Sequence, residues 1–132
     1  MKLKDARQKL KGVSRARAAK WLGVSLRTLE SWEQETRVIS PDEERRILGL
    51  YEALSYFGPE FYAKLDSGEC AIEQAVKDYK IYVIRDRFGS GGIVEHRWAM
   101  IPPGVKDKCS AEELAKIMEL LAAEYDAGAE GN

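Results

Sequence analysis

Apolar residues recur at helical spacing through the first part of the chain. In LKDARQKL, Leu3, Ala6 and Leu10 fall on one side of a helix, and Gly12 is placed to end it. Ser14 can cap a second helix, whose Ala18, Ala19, Trp21 and Leu22 lie toward one side before Gly23 stops it. Ser25 can cap a third, LRTLESWE, in which Leu29 and Trp32 sit three apart and face inward together. QETRVIS has no sustained period and reads as a loop. SPDEERRILGLYEAL then carries a strong start signal, with Ser40 as N-cap, Pro41 at the first helical position and Glu43 completing a capping box. Its stripe Ile47, Leu48, Tyr51 and Leu54 can close a core over the first three helices.

Further along, Gly58, Pro59 and Gly68 punctuate a short helix from Pro59 to Leu65, and ECAIEQAVKDY returns helical spacing through Ala71, Ile72, Ala75, Val76 and Tyr79. KIYVIRD and GIVEHRWAMI are rich in Val, Ile, Tyr and Trp, and FGSGG between them supplies turn glycines, which predicts an antiparallel hairpin. Pro102, Pro103 and Gly104 end it. Ser110 with Glu113 forms a second capping box ahead of a helix with the stripe Leu114, Ile117, Leu121 and Tyr125. The expected organisation is a mainly α chain. A helical domain over 1–55 is followed by a connector helix over 56–65, a small α+β unit (helix, β-hairpin, helix) over 66–127 and a frayed tail over 128–132.

Composition narrows the function classes. The 132 residues carry a net charge of -1, but the halves differ: residues 1–39 hold ten Lys and Arg against four Asp and Glu, while 40–132 hold eleven against eighteen. A basic N-terminal part suits a polyanion, although a charged, solvated helix face has the same composition. The N-terminus MKLKDARQKLKG lacks the apolar core of a signal peptide, so a cytoplasmic protein with no membrane segment is expected. Cys70 and Cys109 have no CxxC or histidine partner spacing, and His96 has no second ligand near it in sequence, so no metal site is expected. There is no phosphate-cradling GxxxxGK and no Ser or Cys nucleophile with a nearby histidine, so neither an enzyme nor a cofactor is expected.

Two helices joined by a three-residue turn, Gly23, Val24 and Ser25, have the geometry of a helix-turn-helix, whose second helix enters the DNA major groove. Gly23 can take the positive φ that ends the first helix abruptly, Ala19 leaves room for close approach, and Val24 and Leu29 plug the space between. SRARAAKWLGVSLRTLESWE resembles the helix-turn-helix of the Cro and phage-repressor type, the Xre family, through Ala19, Gly23, Val24, Ser25, Leu29, Trp32 and Glu33. The resemblance covers about residues 3–54, making this a four- to five-helix helix-turn-helix domain, and is silent on 66–132.

The resemblance implies a recognition helix from Leu26 to Glu33 whose outward residues Leu26, Arg27, Thr28 and Ser31 reach double-stranded DNA. Arg27 offers a fork of donors for O6 and N7 of guanine, Leu26 a methyl surface for thymine, and Thr28 and Ser31 donors for base edges or phosphates. Arg15 takes the first-turn place at which family members commonly touch phosphate, with Ser14 close to the backbone. Arg17, Ser25 and Arg37 complete the candidate DNA-binding set. Each has a plain structural alternative: Arg27 could pair with Glu30 or Glu35, and Arg15, Arg17, Lys20 and Arg37 could form a solvated face. Trp21, Leu22, Leu29 and Trp32 are expected in the core, and Glu33 is expected to pair internally with a first-helix base such as Arg7 or Lys11. The sequence departs from the family at Arg15, where Gln is common, and at Leu26, where a polar side chain is common.

For the second half the expectation is a homodimer that pairs two reading heads, or alternatively hairpin and helix packed on each other in one subunit. Arg85, Arg87, His96 and Arg97 on the hairpin could act as a wing against phosphate. The expected function is a DNA-binding transcriptional repressor of phage or mobile-element type. The alternative is an antitoxin or anti-defence protein whose second half binds another protein while the helix-turn-helix regulates its own operon.

Overall fold

A computed structural model describes the backbone of residues 2–130 and the side chains of residues 2–123. The chain divides into two compact units, 1–76 and 77–132.

The first unit opens with α1 (Lys2–Gln8), α2 (Arg15–Leu22), α3 (Leu26–Glu33) and α4 (Pro41–Phe57). The local signals account for these elements. The hydroxyls of Ser14, Ser25 and Ser40 each accept a hydrogen bond from the third backbone N–H beyond, of Arg17, Thr28 and Glu43, and Pro41 begins α4. A 3-10 turn at Pro59–Phe61 leads into α5 (Tyr62–Asp66), and α6 begins at Ile72. α1 packs on α3 and α4, and α2 on α3. Their shared core holds Leu3, Leu22, Leu29, Ile47, Leu50 and Leu54 and extends to Tyr62, Leu65 and Ile72. The connector and the start of α6 are therefore part of the first unit, whose boundary lies at 76/77 where the sequence suggested 55.

The second unit overturns the hairpin. Among the described residues there is no strand: α6 (Ile72–Phe88) is one helix, and α7 (Gly92–Met100), α8 (Pro103–Lys108) and α9 (Ala111–Glu130) complete an all-helical chain. KIYVIRD lies inside α6 and GIVEHRWAM is α7. The core shows why. Ile81, Ile84 and Phe88 lie at i, i+3 and i+7, Val94, Trp98 and Ile101 at i, i+4 and i+7, and both sets pack with Leu114, Ala115 and Met118 of α9. Side-chain preference for strands spans only about 1 kcal/mol, whereas full burial of one large apolar side chain is worth about 1.5–3 kcal/mol, so packing decides. The glycines separate helices: Gly89, at φ +91°, closes α6 through its N–H on the Arg85 carbonyl, and Gly91, at φ +155°, precedes α7.

Ser110 and Glu113 form the full reciprocal capping box of α9, with bonds of 3.1 and 3.2 Å. Lys80 is buried, and its ammonium donates to the carbonyls of Lys106 (2.6 Å) and Asp107 (3.4 Å) at the end of α8. Leu114, Ile117 and Leu121 belong to this core, while the Tyr125 side chain and residues 131 and 132 of the expected tail lie outside what is described. No helix among the described residues is long and apolar enough to cross a membrane.

Candidate nucleic-acid interface

The turn between α2 and α3 has the expected three residues. Gly23 adopts φ +70°, its N–H reaches the Lys20 carbonyl (3.2 Å), and the Val24 N–H reaches the Ala19 carbonyl (3.1 Å), a Schellman closure that stops α2 within one residue. Ala18, Ala19 and Leu29 are buried at the α2–α3 contact, and Val24 packs against the same core. These contacts fix the outward side of α3.

On that side Leu26 is 48% exposed, and Arg27 is exposed with no hydrogen-bond or ion-pair partner among the described residues. Arg27 therefore pairs with neither Glu30 nor Glu35. Thr28 and Ser31 are half-buried. The Thr28 hydroxyl accepts from Ser25 Oγ (2.8 Å) and, more distantly, from Arg37 Nη1 (3.4 Å), so three candidate residues meet beside the start of α3. α3 ends in a second Schellman closure around Glu35, a non-glycine residue at φ +60°, with the Thr36 N–H on the Ser31 carbonyl (3.0 Å). The following loop presents Val38 to solvent almost completely.

Behind α3 the Glu33 carboxylate is buried and triply bonded. Arg7 donates through Nε (2.8 Å) and Nη2 (3.0 Å), Arg15 through Nε (3.0 Å), and Arg7 Nη1 also holds the Val13 carbonyl (3.1 Å). Arg7 is thus the partner expected for Glu33. Burial alone would push the Glu33 carboxyl up, but the hydrogen bonds and charges of Arg7 and Arg15 outweigh it and hold the group below the usual carboxylate range. The Arg7 guanidinium is correspondingly raised, chiefly by its bonds to Glu33.

Arg17 has a different place. Its fork is occupied by Asp66 of α5, with Nε 3.2 Å from Oδ1 and Nη2 on Oδ2, and its guanidinium lies 5.2 Å from the Trp21 ring centre and 5.0 Å from that of Tyr62. The Trp21 indole N–H also donates to Asp66 (2.7 Å), and these bonds from Arg17 and Trp21 lower the Asp66 carboxyl. Arg46 pins the other end of α2: it donates to the Leu22 carbonyl (3.1 Å), to Glu43 (2.9 Å) and to Glu73 (3.4 Å). Sequence inspection missed Asp66 and Arg46. Asp66 is 49 positions from Arg17, and no local pattern pairs them.

In the second unit the proposed wing has no hairpin to carry it. Arg85 pairs with Glu95 of α7 (2.9 Å) and Arg87 with Glu112 of α9 (3.2 Å), while His96 is exposed on α7. Cys70 and Cys109 form no disulfide among the described residues, and both are half-buried.

No protein family, curated protein or solved structure matches this chain with significance.

Proposed function

We propose that the protein binds duplex DNA through α2 and α3, with α3 in the major groove, and acts as a transcriptional repressor. The observation that carries this reading is the two-sided character of α3. Its inner residues Leu29 and Glu33 are buried on a three-residue turn from α2, while Arg27 stands exposed and unpaired among the described residues beside exposed Leu26. A guanidinium without a protein partner keeps its planar donors for a base edge, and Leu26 keeps an apolar surface for a thymine methyl. Arg15, Arg37 and Thr28 flank that face and supply phosphate donors. The resemblance of residues 3–54 to the Xre type supports the same reading. Arg17 contributes by holding α2 against α5.

The second unit supplies the partner surface in this reading, for a second copy of the chain or for another protein. The test is a mobility shift with fragments of the source genome at two salt concentrations. Binding that weakens steeply with salt, as counterion release requires, sustains the proposal; absence of binding at low salt refutes it.

A further inference from the structure

We propose that Glu33 is a positioning residue for DNA contact and acts through Arg15, an inference that rests on the DNA-binding reading above. The buried carboxylate carries one negative charge and faces two guanidinium groups, Arg7 and Arg15. Arg7 already meets it with two nitrogens at 2.8 and 3.0 Å and is itself buried. That pair is complete without a second cation. Arg15 is added through Nε alone (3.0 Å), its side chain is 28% exposed, and Nη1 and Nη2 have no partner among the described residues. The three groups together carry an excess positive charge, and because Arg7 and Glu33 are buried, the exposed share of that excess lies on Arg15.

An arginine anchored at Nε and free at its two terminal nitrogens presents parallel donors at a fixed place, the geometry that matches two oxygens of a phosphate. An unanchored arginine would lose side-chain freedom on binding, and the Glu33 contact removes part of that loss beforehand. Lysine has three donors at a single nitrogen, so it cannot keep an anchor on Glu33 and also present a separate pair of parallel donors outward. The ligand is therefore a backbone phosphate of the duplex, read without regard to sequence.

The sign of one substitution separates positioning from bulk charge. Glu33→Gln removes a negative charge from the DNA-binding unit, so charge alone predicts tighter binding to a polyanion. Positioning predicts weaker binding. Because Glu33 is buried, that variant can fail to fold, and Arg15→Lys and Arg15→Ala decide the matter independently.

The experiment is fluorescence anisotropy of the full chain on a labelled duplex of random sequence over a range of salt concentrations, with thermal melts of every variant. Arg15→Ala is expected to bind more weakly and to lower the salt slope by about one. Arg15→Lys, with unchanged charge, is expected to weaken binding about three- to tenfold, since the charge remains and the anchored fork is lost. Parental affinity in Arg15→Lys, or tighter binding by a folded Glu33→Gln, overturns the positioning role. Unchanged affinity and slope in Arg15→Ala overturns the phosphate contact as well. If the parent chain itself does not bind at low salt, the DNA-binding reading falls first, and that failure is visible before any variant is compared.

Discussion

Two neighbouring groups in the first core oppose each other in energetic effect. The Tyr51 hydroxyl is buried with no hydrogen-bond partner among the described residues, and burial with the nearby Glu33 charge pushes its ionisation well above the usual tyrosine range. A buried, unsatisfied hydroxyl costs about 1–3 kcal/mol, so Tyr51→Phe should leave the free energy of unfolding unchanged or raise it by up to about 1 kcal/mol, measured by denaturant titration. Glu33 works the other way. Its folded-state carboxyl lies below its unfolded value, so the stabilisation it supplies is complete above the ordinary carboxylate range and is lost progressively as pH falls from that range down through the lower folded-state value. Stability measured by denaturant should therefore drop steeply on acidification below about pH 5, and that drop should be shallower in any Glu33→Gln protein that folds. At the outer face, Arg27→Ala should cost about 1–3 kcal/mol on the preferred operator and much less on random duplex, with the thermal midpoint little changed. Equal losses on both would reassign Arg27 to phosphate.

The elements end where backbone geometry requires, and the two closures around α3 make a matched pair. Gly23 and Glu35 both take positive φ, +70° and +60°, but only one is glycine. A Cβ at Gly23 would meet no atom within 4 Å, so Gly23→Ala tests backbone strain without a clash and should destabilise by about 1 kcal/mol. Glu35→Gly should stabilise by about 0.5–1 kcal/mol in the same chemical-denaturation measurement, because strain at a non-glycine left-handed residue is relieved. The helices of the second unit teach a related lesson. In α6 and α7 the aromatic and β-branched residues suggested strands, yet Ile81, Ile84 and Phe88 already had a helical period. Alternation and helical spacing overlap over such short stretches, and only the face buried against α9 distinguishes them.

The whole chain presents a basic N-terminal part and a second, separately packed unit with exposed apolar residues. Ile93 and Met100 lie seven apart on α7 and are 56% and 57% exposed. In the proposed repressor a two-fold dimer would match paired half-sites, and sedimentation at micromolar concentration should report twice the chain mass. A chain that stays monomeric even on operator DNA would remove the dimer from the proposal.

By itself the sequence determined the helices of residues 2–57, the serine caps of α2, α3 and α4 and the three-residue turn at Gly23, because capping, glycine conformation and short apolar periods act within a few residues. It also contained the expectation that Glu33 pairs with a base of the first helix. Tertiary structure alone decided which arginines are occupied. Arg17 went to Asp66 and the rings of Trp21 and Tyr62, Arg15 joined Glu33, and Arg27 was left free among the described residues. These cations look alike in sequence, and the carboxylates that distinguish Arg15 and Arg17 are 18 and 49 positions away. The same holds for the helical state of 77–100: propensities of a few tenths of a kcal/mol per residue cannot choose between helix and strand until a partner face is present to bury one side.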